Sequence, residues 1–361
     1  MPKANQSTAV TTHTAFRTLP VVDVSGLSSP SRDVRMAAAR ALGKAAREAG
    51  FFYVTGHKVT RALREGLLAQ AKALFSLSYD EKMKWYIGRS GVRHRGYVPE
   101  GEEGFYGQTT ADHKEAFDLC NEVPESDPDV VAGTPLMGPN VWPDLPGFKE
   151  DVTAYYKAAF GLGCTLLKGF ALSLGLPGDA FDRFVTKPPS QLRLIHYPYD
   201  PAVPADKAGI GAHTDYEIFT ILMPTAPGLE VMNGKGEWID APPVEDAFVV
   251  NIGDMMEIWT NGAFVATSHR VRKVAEERYS FPLFFSADYH TRVEPLAPFV
   301  SPSSPPRYQP LVAGEHLFAQ TAQTFRHLKE KVERGELVLP DGSRGLNSFG
   351  QQARHNESPA A

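Results

Sequence analysis

The first half of the chain carries two helical patterns separated by a short apolar run. Apolar residues recur at every third or fourth position from about residue 33 to 48 and from about 60 to 77, which predicts two amphipathic helices. Residues 51–54, Phe-Phe-Tyr-Val, predict a buried strand between them, and a shorter strand is predicted near residues 19–24. An apolar-rich stretch over about 148–174, followed by Gly175 and Pro177, predicts a long helix.

After Pro189 the pattern changes to short β-type runs, which Gly and Pro separate at intervals typical of a β-sandwich or barrel. These runs are residues 191–197, 218–223, 229–232, 248–252, 265–271 and 279–286. A last helix is predicted over about 315–333. This order predicts an α+β fold, with a double-stranded β-helix (jelly-roll) core flanked by N-terminal and C-terminal helices.

We expect a single domain over residues 19–335, because no Gly-, Ser- or Pro-rich linker divides it into two halves. Its expected parts are a mainly helical N-terminal part (19–178), the jelly-roll core (179–300) and the C-terminal helix (301–335), with a disordered tail at 1–18 and a polar tail at 336–361. Residues 88–139 are rich in Gly, Pro, Asp and Glu, and they predict a long irregular segment with short strands.

Composition and charge exclude several classes of protein. The chain has 361 residues with 37 Lys and Arg against 42 Asp and Glu, so it lacks the positive excess that nucleic-acid and membrane-surface binders need. No apolar run is long enough to span a membrane. Its two cysteines, Cys120 and Cys164, are too few for a disulfide framework or a cysteine-based zinc site. We therefore expect a soluble, cytoplasmic protein without nucleic-acid or membrane partners.

His213 and Asp215 are the first candidates for chemistry. We expect them at the start of a strand, where residues i and i+2 point to the same face and can reach one metal ion. The tripeptide alone is also typical of a polar strand edge. His269 lies in a second β-type run, and two histidines with one carboxylate form the triad that binds Fe(II) and leaves coordination positions open. The sequence therefore permits an iron site at these three residues.

Arg278 and Ser280 form a second candidate pair on the next predicted strand. At positions i and i+2 they share one face, where a guanidinium and a hydroxyl can bind a carboxylate together. A surface arginine in a salt bridge is the ordinary alternative. The apolar run at 281–285 indicates that the strand lies inside the fold, where an arginine needs an anionic partner such as a bound dicarboxylate.

In this order, the candidate residues resemble the isopenicillin N synthase-like family of non-haem Fe(II) and 2-oxoglutarate-dependent oxygenases. The resemblance extends over about residues 19–330. It includes the fragments LPVVD (19–23), GFFY (50–53), RGY (95–97), KEAFD (114–118), NVWP (140–143), LRLIHYP (192–198) and NIGD (251–254). Each fragment is weak alone, but their order and spacing together are specific to the family.

The resemblance implies roles for the matched residues and a reaction. The implied iron ligands are His213, Asp215 and His269, and the implied 2-oxoglutarate-binding residues are Arg278, Ser280 and Tyr197. In this family Fe(II), 2-oxoglutarate and O2 act together, with ascorbate as a supporting reductant. A small-molecule substrate is oxidised, usually by hydroxylation, and succinate and CO2 are released. We expect this chain to act as a monomer.

Two alternatives remain open on the sequence. Isopenicillin N synthase itself oxidises a tripeptide without 2-oxoglutarate, and its Arg-x-Ser pair holds the carboxylate of that substrate. Its substrate-binding arginine, however, falls on His94 here, with Arg95 one position away. Plant hormone and flavonoid oxygenases carry Asn where this chain has Ile195. The other alternative is a non-catalytic metal-binding protein of the same fold, which would have no need of both an iron triad and a carboxylate clamp.

Substrate contacts are expected from segments that line the pocket in the resembled family. The candidate residues are Arg95, Phe105, Tyr106, Arg193, Phe219 and Phe285. The aromatic residues could equally pack in the core. Arg193 is expected on the same strand face as Tyr197, where it could bind an acidic substrate group or form a surface salt bridge. The segment 100–111 is either a substrate lid or an inert loop.

Overall fold

The computed structural model describes residues 14–104, 113–202 and 209–340. Within these ranges the chain forms fourteen strands and eight α-helices. The strands are β1 (Val21–Asp23), β2 (Phe51–Thr55), β3 (Gly96–Val98), β4 (Glu115–Cys120), β5 (Gln191–Tyr197), β6 (Ile210–His213), β7 (Phe219–Pro224), β8 (Leu229–Met232), β9 (Trp238–Asp240), β10 (Phe248–Ile252), β11 (His269–Val271), β12 (Arg278–Phe285), β13 (Arg292–Val293) and β14 (Leu311–Val312). The helices are α1 (Arg32–Glu48), α2 (Arg61–Phe75), α3 (Tyr79–Lys82), α4 (Pro128–Val131), α5 (Phe148–Ser173), α6 (Asp254–Trp259), α7 (Ala313–Thr324) and α8 (Arg326–Glu333).

Two sheets form the centre of the fold. The major sheet has the strand order β1-β2-β10-β7-β12-β5-β4-β3, and the minor sheet has the order β6-β11-β8-β9. Neighbouring strands are antiparallel except β1 and β2, which are parallel. Side chains of both sheets line one cavity, so the sheets lie face to face as in a jelly roll.

Helix α5 covers the opposite face of the major sheet. The ring of Phe170 on this helix lies 5.4 Å from the ring of Phe219 on β7, measured between ring centres. A Cβ atom at Gly163 would lie only 2.4 Å from the ring of Phe285, so a glycine is needed for α5 to approach β12 this closely. Helices α1 and α2 pack in turn against α5. The apolar residues of this layer are therefore committed to the hydrophobic core, and the other sheet face is left for the cavity.

Most of the predicted elements are present, and α1, α2 and α5 end within two residues of their predicted bounds. The last predicted helix is instead two helices, because Phe325 between α7 and α8 has an extended backbone with a ψ of 127°. His213 ends β6 rather than beginning a strand, so Asp215 lies in the segment that follows. The strands β1 to β4 of the N-terminal part occupy the two edges of the major sheet. None of the described helices is both long enough and apolar enough to cross a membrane.

Candidate active site

A cavity of about 130 Å³ lies between the two sheets. Its lining residues come from both sheets, from the segment after β6 and from α7. Strand β5 contributes every second residue, as the alternation of side chains along a strand requires: Gln191, Arg193, Ile195 and Tyr197. Arg193 and Tyr197 therefore share one face of the strand. Leu317 and Thr321 of α7 line another part of the cavity.

His213, Asp215 and His269 come together at one wall of this cavity. The two histidines are opposite each other in the β6–β11 pair, with ring centres 4.3 Å apart. Their Nε2 atoms lie 3.6 and 3.5 Å, respectively, from Oδ1 of Asp215. One ligand atom from each residue lies within 4.8 Å of the others, a spacing that a single metal ion can bridge.

Backbone carbonyls determine which nitrogen of each histidine faces the carboxylate. Nδ1 of His213 donates to the carbonyl of Gly211 at 2.8 Å, and Nδ1 of His269 donates to that of Thr267 at 3.2 Å. Because a carbonyl only accepts, each Nδ1 carries the proton and each Nε2 presents its lone pair. Burial lowers the pKa of His269 to about 4, and the repulsion that two protonated rings would have adds to the effect, so the neutral ring that a metal ion requires is favoured.

Two donors hold the carboxylate of Asp215. Its Oδ2 accepts hydrogen bonds from Nδ2 of Asn251 at 2.7 Å and from Oγ1 of Thr220 at 2.5 Å, which leaves Oδ1 directed at the histidines. Burial alone would raise the pKa of Asp215, but the two histidines and these hydrogen bonds lower it overall. The sequence did not indicate Asn251 or Thr220 as site residues, because donors to a carboxylate follow no fixed spacing.

Arg278 presents an unpaired cation to the same cavity. It lies opposite Tyr197 in the β12–β5 pair, with the guanidinium carbon 4.7 Å from the centre of the Tyr197 ring. Its Nε donates to the carbonyl of Ala226 at 3.1 Å, whereas its buried Nη1 has no hydrogen-bond partner among the described residues. Ser280, two residues further on, also lines the cavity. A buried guanidinium with an unused donor, beside a hydroxyl, fits the carboxylate of a bound dicarboxylate.

The other two predicted arginines are already occupied. Arg193 lines the cavity, but its guanidinium is buried in ion pairs with Asp118, at 2.7 and 2.8 Å, and with Glu103, at 3.0 Å. It is therefore neither in a surface salt bridge nor available to an acidic substrate group. Arg95 is buried, is absent from the cavity lining and donates to three backbone carbonyls, including that of Leu136 at 2.8 Å.

The aromatic candidates Phe219 and Phe285 face away from the cavity. Their rings stack with centres 4.8 Å apart, on the α5 side of the major sheet. Because side chains alternate along a strand, their neighbours Thr220 and Phe284 line the cavity instead. The expectation that Phe219 and Phe285 contact the substrate is corrected accordingly, since both rings belong to the core. Phe105, Tyr106 and most of the expected lid lie outside the described residues.

Glu217 is an acidic lining residue that no sequence pattern indicated. It lies two residues after Asp215, in an irregular segment where spacing does not determine direction. Burial raises the pKa of Glu217 to about 8, and the charge of Asp215 adds to the rise. Three residues of α7 that line the cavity, Leu317, Thr321 and Thr324, recur at helical spacing. Their sequence positions therefore indicate that they share one face of the helix.

Two family profiles match the chain. The description "non-haem dioxygenase in morphine synthesis N-terminal" matches residues 19–145, and "2OG-Fe(II) oxygenase superfamily" matches residues 188–287. The second match contains all three residues of the candidate metal triad, together with Tyr197, Arg278 and Ser280.

Relatives and solved structures agree with these profiles. The 2-oxoglutarate-dependent dioxygenase thnC of Trichoderma harzianum is 36% identical over 287 residues, which cover 78% of this chain and 88% of that protein. A homoarginine-6-hydroxylase of Oryza sativa subsp. japonica is 34% identical over 328 residues, which cover 86% of this chain and 98% of that protein. A full-length Neurospora crassa protein, solved in complex with alpha-KG, has a TM-score of 0.74 at 26% identity, covering 84% of this chain and 96% of that one. This chain therefore belongs to the 2OG-Fe(II) oxygenase family, as an Fe(II)- and 2-oxoglutarate-dependent dioxygenase that oxidises a small molecule and releases succinate and CO2.

Proposed function

We propose that His213, Asp215 and His269 are the Fe(II) ligands of this enzyme. The observation that carries the proposal is the convergence of both Nε2 atoms on Oδ1 of Asp215 while every other polar atom of the three side chains is engaged. Two neutral imidazoles and one carboxylate contribute a single negative charge. The site therefore retains a net positive charge once Fe(II) is bound, which suits an anionic co-substrate.

Arg278, Ser280 and Tyr197 are proposed to bind 2-oxoglutarate. The buried Nη1 of Arg278 has no partner among the described residues, and burying a guanidinium without an anion is costly. The distal carboxylate of 2-oxoglutarate would supply that anion, with Ser280 as a further donor. Tyr197 packs against the guanidinium and restricts its orientation.

Bound Fe(II) with 2-oxoglutarate and O2 supplies the oxidising power for hydroxylation of a C–H bond. The protein orients the metal ligands and limits the access of water to the site. Asn251 and Thr220 orient the carboxylate ligand, and the backbone carbonyls of Gly211 and Thr267 orient the two imidazoles. The two sheets and α7 surround the cavity, so a bound substrate is held beside the metal site with limited access of water.

The metal assignment is tested with His213→Ala and Asp215→Ala. We expect the wild type to bind Fe(II) stoichiometrically and to form succinate slowly from 2-oxoglutarate with ascorbate and O2 in the absence of substrate, and each variant to lose both properties. His290→Ala is the matched control, because His290 is exposed and lies outside the cavity. Normal iron binding by His213→Ala and Asp215→Ala would refute the ligand assignment.

The co-substrate assignment is tested with Arg278→Ala. Truncating one partner of a buried charge pair costs several kcal/mol, so the Kd for 2-oxoglutarate should rise about 100-fold. The measurement is calorimetric titration of the metal-loaded protein, with Arg292→Ala as the exposed control. Unchanged 2-oxoglutarate affinity in Arg278→Ala would refute the assignment.

We also propose that the enzyme acts as a monomer in the cytoplasm. One chain provides every residue of the proposed site, and both Cys120 and Cys164 are free thiols, which suits a reducing compartment. Light scattering at micromolar concentration should give the 39.5 kDa mass of one chain, and cell fractionation checks the compartment. A dimer mass would refute the monomer, and recovery in an exported fraction would refute the location.

A further inference from the structure

A row of side chains crosses the major sheet from the metal triad into the remainder of the cavity. Asn251 of β10 is opposite Thr220 of β7, Thr220 is opposite Phe284 of β12, and Phe284 is opposite Gln191 of β5. All four residues line the cavity, and Cys120 of β4 continues the row. Adjacent strands are about 4.8 Å apart, so Phe284 and Gln191 lie one and two strands beyond Thr220, a donor to Asp215.

This row is separate from the proposed 2-oxoglutarate residues. On β12, Arg278 lies six positions before Phe284, and on β5 Tyr197 lies six positions after Gln191. Six residues of strand span about 20 Å. The part of the cavity lined by Phe284 and Gln191 is therefore available to the primary substrate while Arg278 holds the co-substrate.

Glu217 follows Asp215 closely enough to border the same space. Its backbone is held in place, because its carbonyl accepts a hydrogen bond from the N–H of Met255 at 3.1 Å. A Cβ at Gly253 would lie 2.2 Å from that carbonyl oxygen, so glycine allows the close approach. The Glu217 side chain lines the cavity, and no side chain within 14–104, 113–202 or 209–340 forms a hydrogen bond or ion pair with its carboxyl group. The hydrogen bonding that acts on this group comes from the backbone N–H groups of Tyr216 and Glu217 itself.

The other charges of the cavity are balanced either by one another or by the proposed iron and 2-oxoglutarate. Arg193 pairs with Asp118 and Glu103, and Glu103 also pairs with Lys114 at 2.9 Å, so these two cations and two anions balance. The proposed Fe(II), Asp215, Arg278 and doubly charged 2-oxoglutarate also sum to zero. Among the described residues, Glu217 is left as the acidic lining residue that has no cationic partner, in the cavity that Phe284 and Gln191 also line. Burial without a counter-ion favours its neutral form, and a cation bound beside it would favour the charged carboxylate.

We propose that Glu217 selects a primary substrate that carries a positively charged nitrogen group, an ammonium or a guanidinium. The inference rests on the proposed function, because the charge balance includes iron and 2-oxoglutarate. Phe284 provides an apolar surface next to the cation, and Gln191, whose buried Nε2 has no partner, provides further polar contact. An anionic compound would meet the unpaired carboxylate and be disfavoured.

The test compares matched compounds that differ in charge. Arginine and citrulline form one pair, and pentylamine and pentanol form another, with hexanoate as the anion. Each is titrated calorimetrically into protein loaded with Ni(II) and 2-oxoglutarate, so that binding is measured without turnover. We expect the cation of each pair to bind about tenfold tighter than its neutral partner, and Glu217→Gln to abolish that preference.

Controls separate this proposal from the assignment of the co-substrate site. Glu245→Gln replaces an exposed carboxylate outside the cavity and should retain the preference for cations. The 2-oxoglutarate titration is run on the same samples, with thermal unfolding to show that each variant is folded. Absence of 2-oxoglutarate binding in the wild type would refute the proposed co-substrate site. If 2-oxoglutarate binds, then equal affinity within the pairs, preference for the neutral or anionic compounds, or no binding of any cation would overturn the role of Glu217.

Discussion

At the scale of single residues, the hydrogen bonds around Asp215 determine how well the triad is formed. Asn251→Ala removes one of the two donors to Oδ2 and frees the carboxylate to rotate away from the histidines. Removing such a supporting contact typically weakens metal binding about 10- to 100-fold. Competition titration with a chelator should show this loss of affinity for Fe(II) or Co(II).

The control for this prediction is Asn233→Ala, which removes a buried amide of the same type outside the cavity. Its metal affinity should equal that of the wild type. Equal metal affinity in Asn251→Ala and the wild type would show that Thr220 alone orients the carboxylate.

The alternation of side chains on β12 makes two adjacent phenylalanines unequal. Phe285 is fully buried against Phe160 and Phe219, so Phe285→Ala should lower the free energy of unfolding by about 3–5 kcal/mol. Phe284 is only partly buried and faces the cavity, so Phe284→Ala should lower the free energy of unfolding clearly less than Phe285→Ala does. Urea denaturation of both variants measures the difference, and equal losses would contradict the assigned faces.

The sequence could not distinguish these two residues. The apolar run at 281–285 identifies a buried strand, but every position is apolar, so no alternation shows which side chains face the cavity. Polar residues carried more information. Arg278 and Ser280 were placed on one face by their spacing, and both line the cavity in the structure.

At the scale of elements, the break between α7 and α8 brings Phe325 to the cavity. Glu102 holds the start of α8: its Oε1 accepts from the backbone N–H and Nδ1 of His327 at 2.9 and 2.8 Å. Glu102→Ala leaves these buried donors unsatisfied, at a cost of about 1–3 kcal/mol. Hydrogen exchange should show faster exchange in α8, whereas Glu330→Ala, an exposed change within the helix, should not.

A continuous helix over 315–333 was the natural prediction, because its apolar spacing continues through residue 325. The break depends on contacts with a distant segment. The N–H of Gly104 donates to the carbonyl of Thr324, and the N–H of Arg326 donates to the carbonyl of Glu102. Such contacts leave no local pattern. Unchanged exchange in the Glu102→Ala variant would show that α8 is held by its other packing contacts.

At the scale of the whole molecule, residues from three distant parts of the chain close the cavity. His94 and Glu103 come from the N-terminal half, Glu217 from the segment after β6, and Phe325 from the C-terminal helices. The succession of helices and strands along the chain, and the three residues that come together as the candidate triad, could be predicted from sequence, because they follow spacing and a family resemblance. The pairing of buried charges could not be predicted from sequence, because Arg193 pairs with Asp118 and Glu103, which lie far from it in the chain.

This buried network predicts how stability depends on pH. For Glu103 and Asp118, burial alone would raise the pKa, but the charge of Arg193 and its neighbouring donors lower it below the ordinary values of 4.5 and 3.8. The unfolded chain therefore binds protons more readily than the folded one in acid. These ion pairs stabilise the folded protein fully at a pH above the ordinary pKa values of the two carboxyl groups. That stabilisation is lost as the pH falls through the ordinary values toward the lower pKa values of the folded state.

Urea denaturation of the metal-free protein should therefore give a free energy of unfolding that falls steeply below about pH 4.5, where Glu103 and then Asp118 of the unfolded chain become protonated. Asp118→Asn should be destabilised by about 3–5 kcal/mol at pH 7, because it leaves part of the Arg193 charge unpaired. It should also show a shallower acid slope than the wild type, since one titrating carboxylate is missing. Exposed Glu294→Gln should keep the wild-type slope. Parallel acid slopes for the wild type and Asp118→Asn would mean that other carboxylates govern the loss of stability in acid.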